Sequence, residues 1–223
     1  MVRLQKLIEH GGIYLYADVL VQRDFDDLLS ERVVLGCEGE RGMANAVILS
    51  QPNAPFLVRW LEAYRNFRSS GGDEFWSEHS VVLPAKLAGA YSQEVTILSK
   101  KAFFWPLWHD DHLDWIFRST QPIPMDQTYA NHLWEGVAWS LLEDLTPRSG
   151  PRTRHHFHRW ARPYLEDLPG TYGARSSVGP LRILKKPIEY SRRLQILKRR
   201  TREKAVSIKA KLNRVTSRVR RQR

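Results

Sequence analysis

Apolar positions change period several times along the first two thirds of the chain. Val2, Leu4, Leu7 and Ile8 recur at helical spacing, and Gly11-Gly12 halts that helix. Residues 13–15 then read as a buried strand, and 19–21 as its continuation or a second short strand. Phe25, Leu28 and Leu29 suggest a helical turn, and residues 33–35 and 46–49 are further strand-like runs. Asn53 followed by Pro55 marks a helix start. Phe56, Leu57, Trp60, Leu61, Tyr64 and Phe67 form its apolar face, and residues 69–72 (Ser-Ser-Gly-Gly) close it. The pattern predicts another helix over 82–90, strands over 95–98 and 103–105, a long loop over 106–124, and final body elements over 129–134 and 137–142. Beyond Pro169-Gly170 the composition shifts. Leu194, Leu197, Thr201, Ala205, Ile208, Leu212, Val215 and Val219 then advance in steps of three and four, one stripe of a basic amphipathic helix.

Charge sharpens this division. From Leu181 onward, 17 basic residues face two acids, a net +15, whereas the remaining residues carry 18 bases and 22 acids, a net −4. A mildly acidic body and a strongly basic tail imply two kinds of partner. The 42% hydrophobic and 11% aromatic content fits a packed core. The single cysteine, Cys37, excludes an internal disulfide framework. No apolar stretch approaches the ~20 residues of a membrane-spanning helix. The first ten residues carry Arg3, Lys6 and Glu9 among their apolar positions and so lack the apolar block of a signal peptide.

One acid interrupts the first strand region: Asp18, in Gly-Gly-Ile-Tyr-Leu-Tyr-Ala-Asp-Val-Leu-Val. A carboxylate at the end of a buried strand is costly unless it is paired or bound to a metal, and strand ends of α/β sheets are where ligands sit. The plainer reading is a solvated acid or one capping the next turn.

The stretch LIEHGGIYLYADVLVQRDFDDLL, with GMANAVILSQPNAPFLVRWLEAY after it, resembles the sugar-binding region of the family 32 glycosyltransferases. Gly11, Gly12, Ile13, Tyr14 and Leu15 match the family's strand, Asp18 matches the second acid of its Asp-x-Asp motif, and Asn45, Ala46, Val47 and Ile48 match a later strand. WSEHSVVLPAKLA, KAFFWPLW and YANHLWEGVAW resemble segments of a fungal-type branch, so the likeness covers about the first 165 residues. The resemblance implies an α/β, Rossmann-like fold of the GT-A type over 1–165, followed by a linker over 166–181 and the basic helix over 182–223. It implies metal-dependent, retaining transfer of a sugar from a UDP- or GDP-sugar donor to a glycan or glycolipid acceptor, in the Golgi or secretory pathway. Mn²⁺ or Mg²⁺ would be held by Asp18, with His132 as a second ligand. Tyr16 and Asn45 would contact the donor.

Two departures are visible. Tyr16 stands where the family has its first acid, and it is neutral at pH 7. The chain also begins within the helix that precedes Gly-Gly, so the expected domain lacks its N-terminal part, and activity is expected to be weak or absent. The alternative is a non-catalytic glycosyltransferase-like protein whose basic helix, 182–223, binds an anionic membrane surface or nucleic acid.

The remaining candidates each carry two readings. Trp139 is a sugar-stacking ring or a core residue. Glu78 and His79 approach the acceptor or begin a helix. His132 is a ligand or packs against Trp134 or Trp139. Asp24, Asp26 and Asp27 read as a solvated helix start. His109-Asp110-Asp111-His112 has the composition of a metal cluster without ligand spacing. The run His155-His156-Phe157-His158 reads as a surface loop.

Overall fold

The structure is a computed structural model that describes residues 1–143, 146–147 and 155–169. The expected 182–223 helix, and most of the 166–181 linker, lie outside the described residues. The elements in chain order are α1 (Val2–His10), β1 (Gly12–Leu15), β2 (Val19–Val21), β3 (Val33–Cys37), β4 (Met43–Ser50), α2 (Pro55–Ala63), α3 (Leu83–Ala90), β5 (Thr96–Leu98), α4 (Lys100–Phe103), α5 (Asp110–Phe117), β6 (Ala130–His132), α6 (Glu135–Leu142) and α7 (His156–Leu165).

Strands β1-β4-β3-β5 form one sheet in that order. The β1–β4 and β3–β4 pairs are antiparallel, and β3–β5 is parallel. The protein is thus mixed α/β with a parallel pair at one edge, compatible with the expected Rossmann-like class. Side chains alternate across the sheet. Val33 and Leu35 face one core with Leu4, Leu7, Phe56, Leu57 and Trp60, supplied by α1 and α2. Val34 faces a second core with Phe103, Phe104, Leu113, Ile116 and Trp134, supplied by the C-terminal elements. All eight residues of β4 are buried, as a strand covered on both faces requires.

Two irregularities position the site. Gly11, with φ 66°, ends α1 and turns the chain straight into β1. A Cβ there would lie 2.8 Å from the Pro52 ring and 2.9 Å from the Ser50 carbonyl oxygen, so this close approach of backbones demands glycine. Between Leu35 and Gly36 the β4 partner jumps from Ile48 to Ala44, so Asn45, Ala46 and Val47 bulge away from β3. β1 continues past its last rung there, with the Tyr16 N–H donating to Ala46 O at 2.9 Å. The chain then leaves this sheet, and β2 pairs antiparallel with β6, Val19 opposite His132.

Several expectations need correction. Residues 103–105 are not a strand: Phe103 ends α4, and Phe103 and Phe104 are both fully buried. The expected loop over 106–124 contains α5, which buries Leu113, Ile116 and Phe117. The run 155–158 is not a surface loop. It opens α7, with His156 and His158 buried. The helix expected at 82–90 gains a preceding π-turn, Glu78–Val82. Among the described residues no helix is long and apolar enough to cross a membrane.

Gly36 couples the sheet to the site. An added Cβ would meet Phe103 Cδ2 at 2.6 Å and Phe104 Cε2 at 2.8 Å, and the Phe104 ring in turn packs edge-on against His132. Gly36→Ala is expected to destabilise the fold by about 1–3 kcal/mol through overpacking. A denaturant titration measures that loss.

Candidate functional site

Asp18 lies in the turn between β1 and β2. Its backbone carbonyl accepts the Leu133 N–H at 2.8 Å, which fastens the turn to the end of β6. Its Oδ2 accepts the Glu135 N–H at 2.9 Å, and Oδ1 lies 3.3 Å from His132 Nε2. The acid is therefore not simply solvated. It caps the N-terminus of α6, 117 residues away in the chain, where a carboxylate also suits the helix dipole. Burial pushes the Asp18 carboxyl up, but the neighbouring His132 imidazole and the Glu135 amide outweigh it. The net shift is below its ordinary value.

His132 is buried between aromatic rings: Trp134 at 4.2 Å, Phe104 at 5.9 Å and Tyr16 at 6.1 Å between centroids. Its 3.3 Å approach to Asp18 is an ion-pair distance without good hydrogen-bond alignment, and both ring nitrogens lack a hydrogen-bond partner. Orphaned buried atoms call for a partner, and both ring nitrogens of His158 share that condition, so it is the Asp18 carboxylate beside it that sets His132 apart. Trp134, just before α6, adopts left-handed φ 59° and donates its Nε1–H to Pro106 O at 2.9 Å. A bulky residue held at positive φ is a local strain of the kind found at functional sites.

Tyr16 and Asn45, each expected to contact the donor, hydrogen-bond to one another, and a third residue joins them. The Tyr16 hydroxyl donates to Asn45 Oδ1 at 2.9 Å, and Arg3 Nη1 donates to Tyr16 Oη at 2.5 Å and to Asn45 O at 3.2 Å. The guanidinium lies 5.0 Å from the Tyr14 ring centroid and 4.6 Å from that of Tyr16. Among the described residues no carboxylate pairs with Arg3. Burial raises the Tyr64 hydroxyl, and the Arg3 charge opposes that shift. Sequence reading missed Arg3, because a single arginine in an amphipathic helix carries no pattern. It also missed the Glu135 amide, since backbone donors have no residue-type signature.

Tyr16, Asp18, Asn45 and His132 thus form one continuous cluster. Trp139 is on α6 and 46% exposed, so the core reading of that residue is wrong and its ring is open to solvent. Glu78 and His79 have other partners. Glu78 accepts two hydrogen bonds from Arg68, at 2.9 and 2.8 Å. His79 is buried against Tyr64 and Phe67, with Nε2 3.2 Å from Ala63 O.

The other acidic and histidine runs are structural. Asp26–Leu28 is a 3₁₀ turn, with Asp27 accepting from the Tyr129 hydroxyl at 2.6 Å. Asp110 and Asp111 occupy the first turn of α5, and His112 Nδ1 accepts from the Leu107 N–H at 3.1 Å. Among the described residues no group of three His, Cys, Asp or Glu side chains is placed to hold a metal ion. Asp18 and His132 are a pair. Donors at right angles on an octahedral ion, each about 2.1 Å from it, stand about 3 Å apart, so 3.3 Å is a workable separation.

No family model matches the chain, and no solved structure matches it. It is similar to Glucan organizing enzyme 1 of the fungus Cryptococcus neoformans var. grubii, 38% identical over 176 residues. That alignment takes in 74% of this chain and 47% of the fungal protein, so the chain spans about half the length of this curated relative.

Proposed function

We propose that the chain is a glycosyltransferase-like domain, related to family 32 and of GT-A type, that transfers a sugar with retention from a UDP- or GDP-sugar to a glycan or glycolipid. The observation that supports this is a buried imidazole with two orphaned nitrogens beside the one carboxylate of the strand turn. Asp18 Oδ1 and His132 Nε2 would hold Mn²⁺ or Mg²⁺. Two protein donors suit a hard cation that completes its shell with phosphate and water. When bound, the ion supplies neutralisation of the charge growing on the diphosphate leaving group.

The chain's own residues do the remaining positioning. Asn45, its Oδ1 committed to Tyr16, presents its amide to the donor. Tyr16 contributes a neutral contact in place of an acid. Arg3 offers the donor's phosphates a positive charge that no carboxylate among the described residues offsets. Trp139 offers an exposed ring to a sugar. The fungal relative's name refers to glucan, which makes a glucan the first acceptor to try. A Golgi or secretory setting belongs to the same reading.

The test is Mn²⁺ titration with hydrolysis assays over UDP- and GDP-sugars, on the full chain and on Tyr16→Asp. A second carboxylate near the ion should tighten Mn²⁺ binding by about tenfold or more and raise hydrolysis in step. Unchanged Mn²⁺ affinity counts against the site.

A second reading, a non-catalytic member, is favoured by one observation: Asp18 Oδ2 is already committed inside the fold, to the Glu135 N–H. It expects no hydrolysis of any donor by either form. It also expects salt-sensitive binding to anionic vesicles that disappears when residues 182–223 are removed.

A further inference from the structure

We propose that an open depression along α5 is a binding site for a neutral glycan chain, separate from the Asp18 cluster and independent of the donor chemistry assigned there. The depression measures about 530 Å³ and is lined by Asp111, Asp114, Trp115, Arg118, Ser119 and Gln121. It is shallow and widely open to solvent, the form of a surface track for an extended chain rather than of an enclosing pocket.

The lining has the chemistry of a sugar ring in reverse. A hexose has apolar C–H faces and a rim of hydroxyls. Trp115 supplies a flat apolar surface with a polar edge. Its contacts with Trp105, at 6.1 Å and 87°, and with His112, at 6.3 Å and 42°, are edge-on or tilted, so neither ring lies flat on it. Around it stand a carboxylate acceptor, Asp111, and the Gln121 amide, which both donates and accepts. Asp111 is exposed and makes no hydrogen bond among the described residues.

Part of the lining is held in place by hydrogen bonds before any ligand arrives. Trp115 Nε1 donates to Gln121 O at 3.0 Å, which holds the indole in place. The Gln121 N–H donates to Ser119 Oγ at 3.0 Å, and Arg118 Nη1 pairs with Asp114 Oδ1 at 2.6 Å. From α7, His156 Nε2 also meets Gln121 O. A pre-formed site lowers the ordering cost of binding. Charge selects among glycans. With Arg118 committed to Asp114, the net carboxylate of Asp111 disfavours uronic acids and sulfated sugars. A short relay of contacts links the site to the proposed reaction centre. Trp105, which abuts Trp115, accepts through its carbonyl the Asn131 side-chain N–H at 2.7 Å, and Asn131 is the neighbour of His132 on β6.

The test uses the full chain, without donor or metal, titrated with laminarihexaose, maltohexaose and heparin while tryptophan fluorescence and heat are followed. At least one neutral hexasaccharide should bind and heparin should not compete for that site. Trp115→Ala should weaken neutral-glycan binding by about tenfold, the worth of one aromatic stack, and Trp115→Phe should retain most of it. Asp111→Ala, an exposed change whose fold is checked by circular dichroism, should weaken it several-fold. Asp18→Asn should bind the glycan as the parent does, which separates this site from the proposed transferase centre. Four outcomes overturn the proposal: no neutral hexasaccharide binds, heparin displaces the bound one, a folded Trp115→Ala binds at parental affinity, or Asp18→Asn abolishes binding.

Discussion

Asp18→Ala should lower stability by about 2–4 kcal/mol, whereas Asp18→Asn should fold nearly as well as the parent and yet lose Mn²⁺ binding and donor hydrolysis. The contrast follows from the two oxygens. Oδ2 accepts the Glu135 N–H at the start of α6, and alanine removes that acceptor. Loss of a cap alone costs about 0.5–2 kcal/mol. Leaving the buried His132 with no polar neighbour adds a comparable amount. Asparagine keeps a carbonyl oxygen and caps a helix about as well as aspartate, but it brings no charge to a cation. Thermal melts and Mn²⁺ titrations of both variants separate the structural role from the chemical one. Full Mn²⁺ affinity in Asp18→Asn would reduce Asp18 to a helix cap. The acid side carries a second signature. Because the folded-state pKa of Asp18 is lowered from 3.8, its contribution is complete above that pH and fades as the pH falls through the lower folded value. Asp18→Asn should flatten that part of the stability curve.

What could be read in the chain follows from how local each feature is. The helix ending at Gly11, the strands within 13–15, 33–35 and 46–49, and the helix opening at Pro55 each announce themselves within a few residues, and all are present, although 13–15 is a partly exposed edge strand and not the buried one expected. Helix α5 stayed hidden because its buried positions, Leu113, Ile116 and Phe117, are set among His, Asp and Trp residues that resemble loop composition. Phe103-Phe104 imitated a strand because two large aromatics fill a core equally well from a helix end. The polar centre divides in the same way. Tyr16, Asp18, Asn45 and His132 were marked by motif and do converge. The guanidinium of Arg3 and the amide of Glu135 complete the arrangement through contacts 13 and 117 residues long, which no local pattern encodes. Trp139 illustrates the limit of composition: a tryptophan on a helix among the apolar Val137, Ala138, Leu141 and Leu142 reads as core, and this one is exposed.

Acidification from pH 8 to pH 5 should loosen α7 first, and His158→Leu should remove much of that sensitivity. His158 is buried with neither ring nitrogen hydrogen-bonded, and burial, with the nearby His155, depresses its pKa from 6.5. His156 on the same helix is depressed too, chiefly by burial, although its contact with Gln121 O pulls the other way. The sign is that of a base kept neutral by folding. Above pH 6.5 neither state binds the proton and nothing changes. Below it the unfolded chain takes up protons that the folded chain resists, so stability falls until the lower folded pKa is reached. Helix α7 is held by the Phe117–Phe157 ring pair at 5.4 Å and by the Tyr164 hydroxyl, which donates to Val21 O at 2.7 Å. Val21 lies on β2, whose partner β6 carries His132, so release of α7 withdraws a support from the strand pair that brings Asp18 and His132 together. Hydrogen exchange across 156–165 at the two pH values measures the release. Donor hydrolysis and α7 protection should then decline over the same pH interval in the parent chain, and both midpoints should shift to lower pH in His158→Leu. A decline in hydrolysis while α7 stays protected would place the sensitive group in the Asp18 cluster instead.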